Sequence, residues 1–303
     1  MTQRQVCIDK DVKARVQSLL SRLSDCDLCP RQCRVDRTAG ERGICEQTDQ
    51  IRISSANLHF GEEPPISGSR GSGTIFLSGC NLKCSYCQNY PISQMGHGKD
   101  ISPLDLVDRM LELENRGAHN VNFVTPTHYS ARIAEAIMTA RKRGLKVPIV
   151  WNSSGYDSVD VLECLEGMVE VYMPDMRYGE SEPARCYSNA PDYPQVNREA
   201  ISEMYRQVGT LEVDSDGIAR RGLLIRHLVL PNKLSATDKI FEFIAEEIST
   251  ETHISLMSQY FPAYRAHEFE MISRRITKKE YLIAKRLMEK YNLTNGWIQN
   301  EML

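Results

Sequence analysis

The chain has 303 residues, of which 41% are hydrophobic and 25% charged, and its 37 basic and 40 acidic side chains leave a net charge of −3. This composition supports one packed main domain plus a small appendage and excludes global disorder. Both signs of charge are interspersed, so neither nucleic acid nor an anionic membrane surface is expected as a partner. No apolar run approaches the roughly 20 residues of a membrane span. With a polar start from Met1 to Lys10, the expected location is the cytoplasm.

In a reducing cytosol the ten cysteines are expected to bind metal rather than to pair, because seven of them fall in two tight clusters. Cys7, Cys164 and Cys186 are isolated and are expected to have no role. Residues 1–73 open with a helical stretch near 11–23 and end in a Gly/Pro/Ser-rich passage over 61–73, which reads as an N-terminal appendage. Between these lie Cys26, Cys29, Cys33 and Cys45. Four thiols complete either a tetrahedral zinc site or a full iron–sulfur cluster, so this set reads as closed, structural or electron-relaying. Zinc, a single iron and a second cluster stay open as its occupant, and free thiols are the alternative.

From residue 74 to the end, short β-rich runs alternate with longer amphipathic stretches. Strands are predicted over Thr74–Ser78, Asn120–Thr125, Val147–Trp151, Val169–Pro174, Leu223–Leu230 and His253–Ser258. Ser102-Pro103-Leu104-Asp105 starts the first helix of the series with an N-cap, a proline at the first helical position and an acid in the first turn, and Gly117 ends it. Further helices are predicted at about 129–143, 157–166, 193–208, 235–248 and 277–290. Several strands are continuously apolar, as expected of a parallel sheet covered on both faces. Six βα units make an α/β fold, a partial (β/α)6 TIM-type barrel over 74–303, with chemistry expected at the C-terminal strand ends.

Cys80, Cys84 and Cys87 stand in the spacing C-x3-C-x2-C directly after the first strand of that series. Three local thiols on a cubane cluster leave one iron free for a cofactor or substrate. A zinc site completed by His97, or thiols without metal, are the alternatives. The motif, with Tyr86 before its last cysteine and Gln88-Asn89 after it, resembles that of the radical S-adenosylmethionine superfamily, and in particular its pyruvate formate-lyase-activating-enzyme-like branch.

The resemblance covers about residues 74–260. It implies a [4Fe–4S] cluster at Cys80, Cys84 and Cys87 and S-adenosylmethionine on its free iron, reductively cleaved to a 5′-deoxyadenosyl radical that abstracts a hydrogen atom from a substrate. It also implies anaerobic oxidoreductase chemistry and a flavodoxin- or ferredoxin-type reductant. In that branch the partner is a glycyl-radical enzyme. The chain has no paired ferredoxin-like cysteine insert after the motif, so radical modification of a small molecule or peptide is the alternative, and a non-catalytic metal or electron-transfer module a third.

The resemblance makes Tyr86 a candidate cofactor contact, along with residues at the other strand ends. After the second strand the chain has Thr125-Pro126-Thr127-His128 where the family commonly has Gly-Gly-Glu. Thr125 and Thr127 are therefore candidates through backbone or side chain, a helix cap being the other reading. Ser153 and Ser154 suit a carboxylate or ribose, or simply a turn. Asp175 and Arg177 bring charges to the fourth strand end, where an active site is expected, with Asp175 a candidate catalytic residue of open role and pairing with neighbours the other reading. Arg226 and His227 interrupt an apolar run, so at least one must point into the barrel or be paired; Arg226 resembles the family's cofactor-facing arginine. Gln259-Tyr260 reads as core rim.

Overall fold

The computed structural model describes residues 10–299. Strands in chain order are β1 (Ile51–His59), β2 (Ser72–Leu77), β3 (Lys99–Ile101), β4 (Val121–Val124), β5 (Ile149–Asn152), β6 (Val171–Tyr172), β7 (Glu212–Val213), β8 (Ala219–Leu228), β9 (His253–Met257) and β10 (Gly296–Ile298). Helices are α1 (Lys10–Ser21), α2 (Pro64–Ser67), α3 (Tyr90–Ser93), α4 (Pro103–Asn115), α5 (Ser130–Lys142), α6 (Val159–Leu165), α7 (Ser181–Ser188), α8 (Tyr193–Val208), α9 (Thr237–Phe243, continued by a π turn to Ile248) and α10 (Lys278–Lys290).

The sheet runs β10-β9-β8-β6-β5-β4-β2-β1-β3, with β7 beside β8. From β2 to β9 every neighbouring pair on this path is parallel. These six strands are the predicted six, and the result is an open, partial barrel. Strands β4 and β5 are buried at every position, as expected of a sheet sandwiched between a helical layer and a filled interior. No helix among the described residues is long and apolar enough to cross a membrane.

Local chemistry explains why the helices were legible. Ser102 and Asp105 form a reciprocal capping box at the start of α4, and Thr277 with Glu280 does the same for α10. Helix α4 then buries Leu106, Val107, Met110 and Leu113, one stripe at helical spacing, against the sheet.

The expected division at residue 73 falls inside β2. β1 pairs antiparallel with β2 and with β3, so it extends the barrel sheet from inside the supposed appendage. α1 packs across α5 and α6. Ile66 of α2 is fully buried in one apolar cluster with Val150, Val171, Met173 and Leu224, so this segment too is packed with the barrel strands. Hydrophobic periodicity did not signal β1, because only Ile51 and Ile53 of its nine residues are buried.

Candidate functional site

The loop after β2 turns at Gly79, whose φ of +82° suits glycine and where an added Cβ would meet the Cys45 carbonyl oxygen at 2.8 Å. The carboxamide of the buried Asn81 donates to the Tyr156 carbonyl at 2.7 Å and ties this loop to the segment after β5. The three thiols that follow receive different supports. Cys80 Sγ accepts from the Leu82 amide at 3.3 Å, Cys84 Sγ accepts from the Ser188 hydroxyl at 3.2 Å, and Cys87 Sγ shares a hydrogen bond with Ser93 Oγ at 3.0 Å. Burial pushes the Cys84 thiol up, against the pull of the Arg177 guanidinium, and pushes Cys87 up to about 11.

Those three cysteines line a cavity of about 560 Å³, mouth included, together with the C-terminal ends of the next strands: Thr125 after β4, Asn152, Ser153 and Ser154 at β5, Asp175 and Arg177 after β6, and Arg226 of β8. His97, the candidate fourth zinc ligand, is exposed and does not line this cavity, which removes the Cys3His reading.

Asp175 is the electrostatic hub of the site. It is 4% exposed, accepts from Arg226 Nε at 2.8 Å and also accepts from Arg177 Nη2. Burial alone would push its carboxyl up, but the two guanidiniums hold it below the ordinary carboxylate range. An ionised group held between two arginines is placed to orient them, which is the pairing reading of Asp175.

Arg226 also donates to Asn152 Oδ1 at 2.8 Å and lies 3.7 Å from Glu62. Its neighbour His227 is fully buried, donates from Nδ1 to the Met176 carbonyl at 2.7 Å and is held neutral, its value pushed down to about 4 by burial. Both residues that interrupt the apolar run are therefore satisfied.

Helix α8 sets the spacing of the two strand ends. The Tyr193 hydroxyl reaches the carbonyl oxygens of Ser154 at 2.8 Å and Asp175 at 3.0 Å, and the Asn197 amide reaches those of Gly155 and Asp175, both at 3.0 Å.

Three expected cofactor contacts are placed differently. Tyr86 does not line the cavity; it is buried edge-on between Tyr178 and Tyr260 at ring distances of 6.3 and 5.6 Å, where it buttresses the cysteine loop. The hydroxyl of Thr127 donates to the fully buried Asp157 at 2.8 Å, away from the cavity, because the chain has already turned into a short 3-10 segment there. Ser153 does line the cavity, but its hydroxyl is committed to Asp157 at 2.6 Å and to the Gly155 amide at 3.1 Å.

Two polar groups of the lining are free. Ser154 Oγ and Arg177 Nε are buried without a hydrogen-bond partner. Such atoms are costly to leave unsatisfied unless a ligand completes them. Arg177 was visible in the sequence only as one charge at a strand end. Glu62 gave no signal: it is pushed up to about 7 by burial, partly offset by Arg226, and lies in the segment read as an N-terminal appendage.

A partial α/β barrel with three thiols and a polar ligand cavity at its strand ends defines an enzyme-type site for a metal cluster and an organic cofactor. Residues 74–174 match the model of the radical SAM superfamily. The uncharacterised protein MJ0674 of Methanocaldococcus jannaschii is 34% identical over 279 residues, 89% of this chain and 75% of its own. A second uncharacterised protein of that organism, MJ0808, is 22% identical over 263 residues, 79% of this chain and 71% of its own. A radical SAM methyltransferase from Sphaerobacter thermophilus shares the fold, with a TM-score of 0.51 at 14% identity over 77% of this chain and 67% of that one. The chain belongs to the radical SAM superfamily.

Membership implies a [4Fe–4S] cluster and S-adenosylmethionine, and the donor set here fits both. Three thiols face one cavity with no fourth cysteine in its lining, and hydrogen bonds reach all three sulfurs. The unpartnered Ser154 hydroxyl and Arg177 Nε suit a ligand carrying hydroxyl and carboxylate groups.

Proposed function

We propose that Cys80, Cys84 and Cys87 hold the cluster and that S-adenosylmethionine lies against Thr125, Ser154, Arg177 and Arg226. The radical obtained from it removes one hydrogen atom from a substrate. The observation that carries this reading is the convergence of three thiols with two unpartnered buried polar groups on one cavity. When bound, the cluster supplies the single electron that opens the cofactor's C–S bond to give the 5′-deoxyadenosyl radical.

The chain's own groups bind and orient. Arg177 and Arg226 present positive charge to the cofactor carboxylate, Asp175 fixes both guanidiniums, and the Ser154 hydroxyl bonds a ribose or carboxylate oxygen. Leu82, Ile92 and Val124 in the lining keep water away from the reacting atoms.

We favour a glycine of a partner enzyme as the substrate, from the resemblance to activating enzymes, with a flavodoxin- or ferredoxin-type protein as electron donor in an anaerobic cytoplasm. A small molecule or short peptide is the second reading. It is favoured by the cavity's modest volume, which must first admit the cofactor.

Anaerobically reconstituted protein given dithionite and S-adenosylmethionine is expected to release 5′-deoxyadenosine and methionine. No cleavage by protein carrying its full iron and sulfide would overturn the enzyme reading. A glycyl-radical EPR signal on an added glycyl-radical enzyme separates the protein substrate from the small one.

A further inference from the structure

The N-terminal cysteines form a site of their own. Cys26, Cys29, Cys33 and Cys45 line one cavity of about 320 Å³, mouth included, with Arg37, Gly43 and His128, and none is in a disulfide. Gly43 is needed there because a Cβ would sit 2.6 Å from Cys33 Sγ.

The Ile44 amide donates to Cys33 Sγ at 3.4 Å. Arg37 is 1% exposed and has no carboxylate partner among the described residues; its guanidinium bonds the carbonyls of Thr48 and His128 and reaches Cys26 Sγ at 3.9 Å. A buried guanidinium requires a counter-charge, and metal-bound thiolates supply one.

His128, in the same lining, donates from Nε2 to the Ser78 carbonyl at 2.8 Å and so ties this site to the strand that precedes Cys80.

Four thiols complete a tetrahedral zinc site and a cubane cluster alike, and what favours the cluster here is that this loop lies against the loop of the first cysteine motif.

We propose that Cys26, Cys29, Cys33 and Cys45 hold a second, fully ligated iron–sulfur cluster that exchanges one electron with the first. The two loops touch. The Cys45 carbonyl packs on Gly79, the residue before Cys80, and Arg31 bonds the carbonyls of Asn81 at 2.8 Å and Leu82 at 3.3 Å. Cys33 is the one partly exposed thiol of the four. One electron enters from a low-potential one-electron carrier protein, reduces the second cluster, and leaves it oxidised again on passing to the first; no bond is made or broken there. The relay rests on the function proposed above; the second cluster does not.

The test uses the full chain with Cys80, Cys84 and Cys87 all changed to Ala, reconstituted anaerobically with iron and sulfide. About four iron and four sulfide should remain, against about eight of each in the unaltered protein. Its reduced EPR signal should not respond to S-adenosylmethionine. A folded triple variant with one zinc and no sulfide, or with no metal at all, overturns the proposal.

Should that variant not fold, Cys33→Ser tests the same point. Its iron should fall by about half while the S-adenosylmethionine-sensitive signal persists; unchanged iron overturns the second cluster. In the unaltered, fully reduced protein, spin coupling between the clusters should broaden both signals. Two independent, uncoupled signals overturn the relay while leaving the second cluster in place. A first signal blind to S-adenosylmethionine counts against the proposed function and not against this site.

Discussion

The two cysteine regions sit against one another yet are built on opposite plans. Around Cys80, Cys84 and Cys87 the strand ends leave polar atoms without partners, Ser154 Oγ and Arg177 Nε, inside a cavity open at one side. Around Cys26, Cys29, Cys33 and Cys45 a single loop closes on itself, the Ile44 amide points at the Cys33 sulfur, and a buried arginine supplies positive charge. The first arrangement offers three thiols and keeps room for a further ligand; the other offers four thiols on one closed loop. An incomplete ligand set with unsatisfied neighbours suits chemistry at an open metal position, and a complete set suits a structural or electron-relaying group.

The largest effect that can break this contrast is Cys84→Ala. Cys84 is the most deeply enclosed thiol of its set, and its loss should reduce 5′-deoxyadenosine to the level of protein-free controls, with Cys80→Ala and Cys87→Ala equivalent. Any one of the three retaining substantial turnover would contradict the assignment.

Next is Asp175→Asn, which leaves Arg226 and Arg177 buried beside a neutral group. Removing one member of a buried ion pair costs about 3–5 kcal/mol, measurable by denaturant unfolding. The variant should also weaken S-adenosylmethionine binding while leaving iron at Cys26, Cys29, Cys33 and Cys45 unchanged.

Glu62 gives a pH signature to the first region. Its carboxyl is raised from 4.5 to about 7, so the stability it contributes is present in full below its unfolded value near 4.5 and is lost as pH rises through about 7. Over that window unfolding free energy should fall by up to about 3 kcal/mol, and Glu62→Gln should flatten the profile. A wild-type profile with no decline in this range would show that Arg226 keeps Glu62 ionised.

The smallest and most discriminating comparison is Ser154→Ala with Ser153→Ala. Losing the free hydroxyl of Ser154 should weaken S-adenosylmethionine binding by about 0.5–1.5 kcal/mol with little change in stability. Losing that of Ser153, which bonds Asp157, should cost stability of similar size and little binding. The reverse pattern would exchange their roles.

Much of the fold was legible because its signals are local. The six parallel strands and the helices between them follow from apolar runs, capping residues and glycine stops, as in α4 with Ser102, Pro103 and Asp105. The spacing of Cys80, Cys84 and Cys87 and its position after a strand likewise lie within one short segment. Strand β1 was not legible, since its pairing with β2 and β3 leaves most of it only partly covered.

Which strand-end residues face the cavity could not be read from the chain, because that depends on how separate segments are rotated toward one another. Ser153 and Ser154 are adjacent, yet only the fold shows that Asp157 takes one hydroxyl and leaves the other free. Tyr86 and Thr127 lie beside the motifs in sequence but outside the cavity in space.

By itself, then, the sequence determined the barrel class, the three-thiol motif and the closed four-thiol loop, all of which are set by contacts within short stretches. Tertiary structure alone decided that Asp175 orients two arginines, that Glu62 stands behind Arg226, and that the two cysteine loops touch at Gly79. Those relations join residues far apart along the chain, and burial, which sets their charge states, exists only once the strands have assembled.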